Sequence, residues 1–307
     1  MGCWAAGLLG CNGAGKTTLM PILAAQGFAS TGTVSVFGEE PYENEKVLGR
    51  NCFIRESQKF PDDFAPIHAL KAAAIFYKKW DNAPAHQLAA DFALPLKRRI
   101  KKLSRGRLSA VGVIIGLASR AEPTFFDEPY LGLDAVARQL FYDRLLADYA
   151  QFPRTIVLSS HLIDEEANLL EHVIVIDKGR IILDDDAEKI RGSAVNVAGN
   201  GARVETLAAG RKVLHREGIG ALVSWTIDGG LSAAQRREAH EPGLEISPVS
   251  LQQLVISKTL DAGPADGGPA PHRPGKRPEW GQYVMWLFFA LGIRSLTLTF
   301  PFSPGGA

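Results

Sequence analysis

The stretch AAGLL, from Ala5 to Leu9, contains no polar position. A short run of this kind predicts a strand buried on both faces. A second apolar run, TFF from Thr124, ends in two acids, Asp127 and Glu128; a third, TIVLSS from Thr155, ends at His161. Between the first and second runs the period changes. PIHALKAAAIFYKKW, from Pro66, puts its apolar residues on one helical face, and HQLAADFAL follows after the break DNAP. LSAVGVIIGLA, from Leu108, predicts another helix. Beyond Arg191 the chain reads strand, helix, strand, strand, helix, strand over AVNVAG, ARVETLAAG, RKVLHRE, ALVSWTIDGG, SAAQRREAH and GLEISPV, the order of a ferredoxin-like unit. SLQQLVISKTL adds a final helix. This small α+β domain, 193–260, is expected to be regulatory or dimer-supporting.

The chemistry begins directly after the first run. Gly10, Cys11, Asn12, Gly13, Ala14, Gly15, Lys16 and Thr17 match G-x-x-x-x-G-K-[ST] in full, and Thr18 follows. Glycines let the backbone turn tightly and bring N–H groups close to phosphate oxygens. The helix starting near Gly15 would aim its positive end at the same oxygens. Lys16 would place a compact cation on the β- and γ-phosphates, and the Thr17 hydroxyl would ligate Mg²⁺. Cys11 is read as a small loop residue. At the end of the second run, Asp127 is suited to hold Mg²⁺ and Glu128 to polarise an attacking water.

Between loop and acids stands Leu103-Ser104-Arg105-Gly106-Arg107. It resembles the LSGGQ signature of ATP-binding cassette (ABC) ATPases, matching at Ser104 and Gly106 and departing at Arg105 and Arg107. Ser104 is placed to cap the helix that follows. The resemblance covers about Met1 to Gly192, and the short run from FIRESQKFPDDF to the signature looks most like ATPases of ABC-2-type exporters. It implies an α/β P-loop NTPase core with a helical subdomain at about 61–106. It implies that Ser104 and Gly106 meet the ATP of a partner subunit. It also implies that His161 contacts the γ-phosphate and that Asp134 lies in a loop crossing the dimer interface. Glu56 or Gln58 would serve as the Q-loop ligand of Mg²⁺. The expected cofactors are ATP and Mg²⁺. The expected partners are a membrane (permease) subunit and a second ATPase subunit in a homodimer or heterodimer. The expected place is the cytoplasmic face of the plasma membrane, held there through the membrane subunit. A nucleotide-binding regulator with little turnover and a soluble mechanical ABC ATPase are the alternatives; measured hydrolysis tests the first, a neighbouring membrane-subunit gene the second.

Composition adds exclusions. The 307 residues carry 34 Lys+Arg against 33 Asp+Glu, a net charge of +1, so nothing suggests nucleic acid as partner. Arg98, Arg99, Lys101 and Lys102 form a basic cluster read as a solvated face. Three cysteines without regular spacing fit a reducing compartment. A Pro/Gly-rich linker is expected at 261–280, then an apolar tail at 281–307. Its stretch Tyr283 to Ile293 is well short of the roughly 20 residues a spanning helix needs. A span, an interfacial or docking segment, and a tail from a shifted reading frame all stay open. ABC ATPases of this kind begin well upstream of the phosphate loop with an aromatic that stacks on adenine. Trp4 is too near the loop for that place, so the expectation is a chain that starts late.

Overall fold

The computed structural model describes residues 5–56, 58–229, 244–261 and 298–299. The three apolar runs become strands of one sheet. In chain order the elements are β1 (Ala5–Leu9), α1 (Lys16–Leu23), β2 (Thr33–Val34), α2 (Glu45–Leu48), β3 (Cys52–Arg55), α3 (Pro66–Phe76), α4 (Asn82–Asp91), α5 (Arg105–Ser119), β4 (Thr124–Asp127), α6 (Ala135–Gln151) and β5 (Ile156–Ser160). They continue as α7 (Ile163–Glu166), β6 (His172–Asp177), β7 (Arg180–Asp186), α8 (Ala187–Gly192), β8 (Ala194–Asn200), α9 (Gly201–Ala208), β9 (Val213–Ile219), β10 (Leu222–Asp228), β11 (Leu244–Pro248), α10 (Leu251–Asp261) and β12 (Leu298–Thr299).

The described residues fall into two compact units. One lies within Met1–Leu162 and His172–Asp184 and includes β12; the other lies within Ile163–Glu171 and Asp185–His272. Residues 163–171 and 185–192, counted with the nucleotide-binding domain in the sequence reading, thus pack with the second unit.

The first unit is built on a six-stranded sheet of order β3-β4-β5-β1-β6-β7. β3 to β4, β4 to β5, β5 to β1 and β1 to β6 all pair in parallel. Parallel strands need cover on both faces, and alternation along them supplies it. Leu8, Phe53, Phe125 and Val157 meet Leu19, Met20 and Leu23 of α1 in one core cluster. On neighbouring positions, Ile54 and Phe126 lie against Gly112 and Gly116 of α5. The Phe126 and Phe141 rings meet edge to face at 5.5 Å, which brings α6 onto the same layer. Pro21 interrupts the hydrogen-bond ladder of α1, and the helix ends two residues later. β12 pairs antiparallel with β2.

The second unit holds a four-stranded antiparallel sheet of order β11-β8-β10-β9. β8 and β10 lie inside and β9 and β11 outside, as the βαββαβ reading requires. One face is apolar: Val195, Val197 and Ile227 pack with Val204, Leu207 and Ala208 of α9. Asn196 donates to Ser247 Oγ and accepts from Ser224 Oγ on the sheet. The expected second helix, SAAQRREAH, lies outside the described residues. So do the linker beyond Asp261, Tyr283–Ile293 of the tail, and Trp4.

Candidate functional site

The phosphate loop joins β1 to α1. Gly10, Gly13 and Gly15 take φ of 151°, 80° and 117°, a region in which side chains strain the backbone. At Gly10 an added Cβ would lie 2.2 Å from the Ile176 carbonyl oxygen, so the loop passes too close to β6 for any side chain. The Ala14 carbonyl accepts from Gly179 N–H at 2.8 Å, which ties the loop to the β6–β7 turn. α1 opens at Lys16, and its first N–H groups have no preceding helical carbonyl to bond. Thr17 and Thr18 are exposed on this first turn, as are Cys11, Asn12 and Gly13 in the loop. Lys16 is 4% exposed, and its amine donates to the Gly10 carbonyl at 2.6 Å and the Cys11 carbonyl at 3.3 Å. Burial pulls its pKa down, while Glu128 and Asp127 hold it up.

Asp127 ends β4 two strands from β1, and Ser160 ends β5 between them. Asp127 is buried, and Ser159 Oγ donates to its carboxylate at 2.6 Å. Burial raises the Asp127 pKa, with Glu128 adding to the rise and the Ser159 bond, Lys16 and Arg55 opposing it. Glu128 sits at φ 48°, a left-handed backbone unusual for a glutamate. Its N–H is held by Ser159 through both the carbonyl and Oγ, at 3.3 and 3.1 Å. His161 Nδ1 lies 3.3 Å from Glu128 Oε1. The fold therefore gathers Lys16, Asp127, Glu128 and His161 at the carboxyl ends of adjacent parallel strands, where ligands of open α/β sheets bind.

A second cluster forms around the signature. Ser104 caps α5 by accepting from Arg107 N–H at 3.4 Å. A Cβ on Gly106 would stand 2.6 Å from the Gly132 carbonyl oxygen, so the first turn of α5 lies directly on the loop that follows Glu128. Ser109 Oγ donates to the Leu131 carbonyl at 2.8 Å in the same contact. Asp134 caps α6, its carboxylate accepting from Ala137 N–H at 2.8 Å. Glu56 N–H bonds the Asp127 carbonyl at 3.1 Å, but its side chain pairs with the Arg105 guanidinium. Gln58 N–H closes a turn on the Arg55 carbonyl. The candidate Q-loop residue Glu56 and the signature departure Arg105 are thus partners. The basic cluster is exposed, Arg99 and Lys101 both reaching Asp63. Sequence reasoning missed Ser159, Arg55 and Tyr130. Ser159 and Ser160 carry a signal, two polar residues inside an otherwise apolar buried strand.

Strand order, phosphate loop and acidic strand end together define a P-loop nucleoside-triphosphatase domain. Residues 4–131 match the family described as ABC transporter, and this part of the chain is similar to the ATP-binding domains of that family. The chain is 23% identical over 191 residues to the ABC transporter ATP-binding protein YtrB of Bacillus subtilis, covering 62% of this chain and 65% of that one. It is 29% identical to the Nod factor export ATP-binding protein I of Cupriavidus metallidurans, over 62% of this chain and 64% of that one. It is 28% identical to the phosphonates import ATP-binding protein PhnC 2 of Pseudomonas aeruginosa, over 62% of this chain and 78% of that one. The chain thus spans less than two thirds of the length of the Bacillus and Cupriavidus relatives. A solved structure described as the ATP binding subunit of an ABC transporter shares the fold, with a TM-score of 0.54 at 23% identity, over 61% of this chain and 80% of that one.

Proposed function

We propose that the chain binds and hydrolyses ATP as one subunit of an ABC transporter, paired with a second ATPase subunit and powering export through a separate membrane subunit. The observation that carries the reading is the gathering of Lys16, Asp127, Glu128 and His161 around the glycine-rich loop that opens α1. The loop and Lys16 hold the β- and γ-phosphates of ATP. To do so the Lys16 amine exchanges its own loop carbonyls for phosphate oxygens, a stronger, charge-assisted set of bonds. Glu128 orients the attacking water and takes its proton, and His161 donates to the γ-phosphoryl group. Thr17 and Asp127, with Glu56 or Gln58, would hold Mg²⁺, which neutralises charge at the β- and γ-phosphates when bound. The fit is electrostatic: the buried Asp127 carboxyl stays above its ordinary pKa despite Lys16 and Arg55, so its charged form would gain from a further cation. Glu56 reaches such an ion only by leaving Arg105.

Export is favoured by the short helical subdomain, although the relatives include both an export and an import protein. Docking to a membrane subunit is supported by Ile75 and Phe76, 85% and 75% exposed at the end of α3. No helix among the described residues is long and apolar enough to cross a membrane.

Two experiments test the proposal. Glu128→Gln should keep ATP binding and slow hydrolysis by at least the roughly 10²-fold that a positioned acid–base group contributes. Parent-like hydrolysis by that variant would remove Glu128 from the mechanism. The pair Ile75→Ser and Phe76→Ser should keep ATPase activity and lose co-purification with the membrane subunit. Retained co-purification would place the docking surface elsewhere.

A further inference from the structure

The Tyr130 hydroxyl lies beneath His161. Tyr130 is 2% exposed, whereas the His161 side chain is 41% exposed. The phenol oxygen accepts from the His161 backbone N–H at 3.1 Å, lies 3.1 Å from Ser160 Oγ, and lies 3.2 Å from His161 Nδ1. Ser160 is fully buried, and its Oγ accepts from Leu162 N–H at 2.9 Å. A hydroxyl has one proton to give and two lone pairs to receive with. One order satisfies all of these contacts. Leu162 N–H gives to Ser160 Oγ, which leaves Ser160 O–H free to give to the Tyr130 oxygen and Tyr130 O–H free to give to His161 Nδ1. The second Tyr130 lone pair receives the His161 N–H.

Nδ1 has a competing neighbour. Glu128 Oε1, at 3.3 Å, accepts only, so it favours a proton on Nδ1. Behind Glu128 stand Lys16 and Asp127, with which it interacts electrostatically. In a neutral imidazole one nitrogen donates and the other accepts, and the bond made at one sets the role of the other. If Glu128 captured Nδ1–H, Nε2 would be a bare acceptor, unfit to meet an anionic phosphate, and one carboxylate oxygen would be spent on the ring.

We propose that Tyr130 is a positioning residue that fixes neutral His161 as its Nε2–H tautomer. Nε2, the ring nitrogen not facing Tyr130 and Glu128, is then the donor, and Glu128 keeps its oxygens for water. The consequence for hydrolysis rests on the function proposed above; the tautomer itself does not.

The test uses the full chain with ¹⁵N-labelled histidine at a pH well above the ordinary imidazole value of about 6.5. The His161 resonances are identified by their loss in His161→Ala. In the parent, Nδ1 should be unprotonated and Nε2 protonated. In Tyr130→Phe, which keeps the ring and removes one hydroxyl, the proton should move to Nδ1. The kcat of that variant should fall about tenfold, the worth of one hydrogen bond, with KM for ATP nearly unchanged. A parent already protonated at Nδ1, or a Tyr130→Phe variant with an unchanged tautomer, overturns the proposal. A tautomer that switches while His161→Ala hydrolyses like the parent upholds the assignment and sinks the catalytic role of His161 instead.

Discussion

Asp127 is 6% exposed, and burial holds its carboxyl above the ordinary carboxylate range. An acid whose folded pKa exceeds its unfolded value of about 3.9 costs stability when ionised. The cost begins as pH rises past the unfolded value and is complete above the folded one, unless a cation offsets it. Asp127→Asn keeps the shape and an oxygen for Ser159 Oγ, but removes the buried charge. The variant should therefore melt higher than the parent without nucleotide at neutral pH, and the gap should close as pH falls into the acid range. It should also lose the extra stabilisation that Mg²⁺ adds to ATP in the parent. Thermal scans with ATP alone and with Mg²⁺-ATP decide the matter; an Asn variant less stable than the parent without ligand would mean that Asp127 serves the fold and not a metal. Glu128 illustrates a different cost. Its φ of 48° is a strain of order 1 kcal/mol or more that no apolar pattern advertises. The acids themselves were legible because they end an apolar run. Ser159, which positions both, and Tyr130, which bonds His161, were not, because their importance lies in contacts made across the sheet or beyond it.

At the scale of elements, α5 shows why two glycines persist in a helix where each costs roughly 1 kcal/mol against Ala. A Cβ on Gly116 would lie 2.4 Å from the Phe126 ring and 3.0 Å from Ile54, and one on Gly112 would lie 3.0 Å from Ile54. The glycines set how closely α5 approaches the sheet, and hence where Ser104 and Gly106 stand at its other end. Gly116→Leu should destabilise the fold by about 1–3 kcal/mol through overpacking, read as a lower urea midpoint. Gly192, with nothing within 4 Å of an added Cβ, is the control. Its Ala variant should be neutral or gain up to about 1 kcal/mol. Equal midpoints for Gly116→Leu and the parent would mean that α5 has room to shift. The helix was legible in LSAVGVIIGLA, as were the buried strands β1, β4 and β5. Their order in the sheet was not, because parallel pairing links residues far apart in sequence. The pairing of Glu56 with Arg105 was hidden for the same reason: one was a candidate Q-loop residue beside Gln58 and the other a departure in the signature, far apart in sequence until the fold brought them together.

At the scale of the whole molecule, the proposed assembly divides the chain into two half-sites of different character. One half is the loop, Lys16 and the strand-end groups. The other is the amino end of α5, where Ser104 and Gly106 sit on the loop that runs to Asp134. Next to Asp134, Val136 is 80% exposed, an apolar side chain suited to contact with a second subunit. If the proposed assembly holds, the signature of one subunit completes the ATP site of the other, so each site in a dimer draws on two chains. Lys16→Ala should remove phosphate binding from the subunit that carries it, and Ser104→Arg should block the signature that its partner needs. Each variant alone makes dimers in which every site bears one defect, and should hydrolyse ATP poorly. Co-assembled, the two produce mixed dimers with both defects in one site and neither in the other. The mixture should therefore exceed either variant alone, by an amount that follows the fraction of mixed dimers. Activity that stays at the level of the single variants, despite mixed dimers seen by native mass spectrometry, would show that one intact site does not turn over by itself. Full activity from a strictly monomeric preparation would end the shared-site proposal, because then Lys16 and Ser104 would have to serve the same nucleotide within one chain.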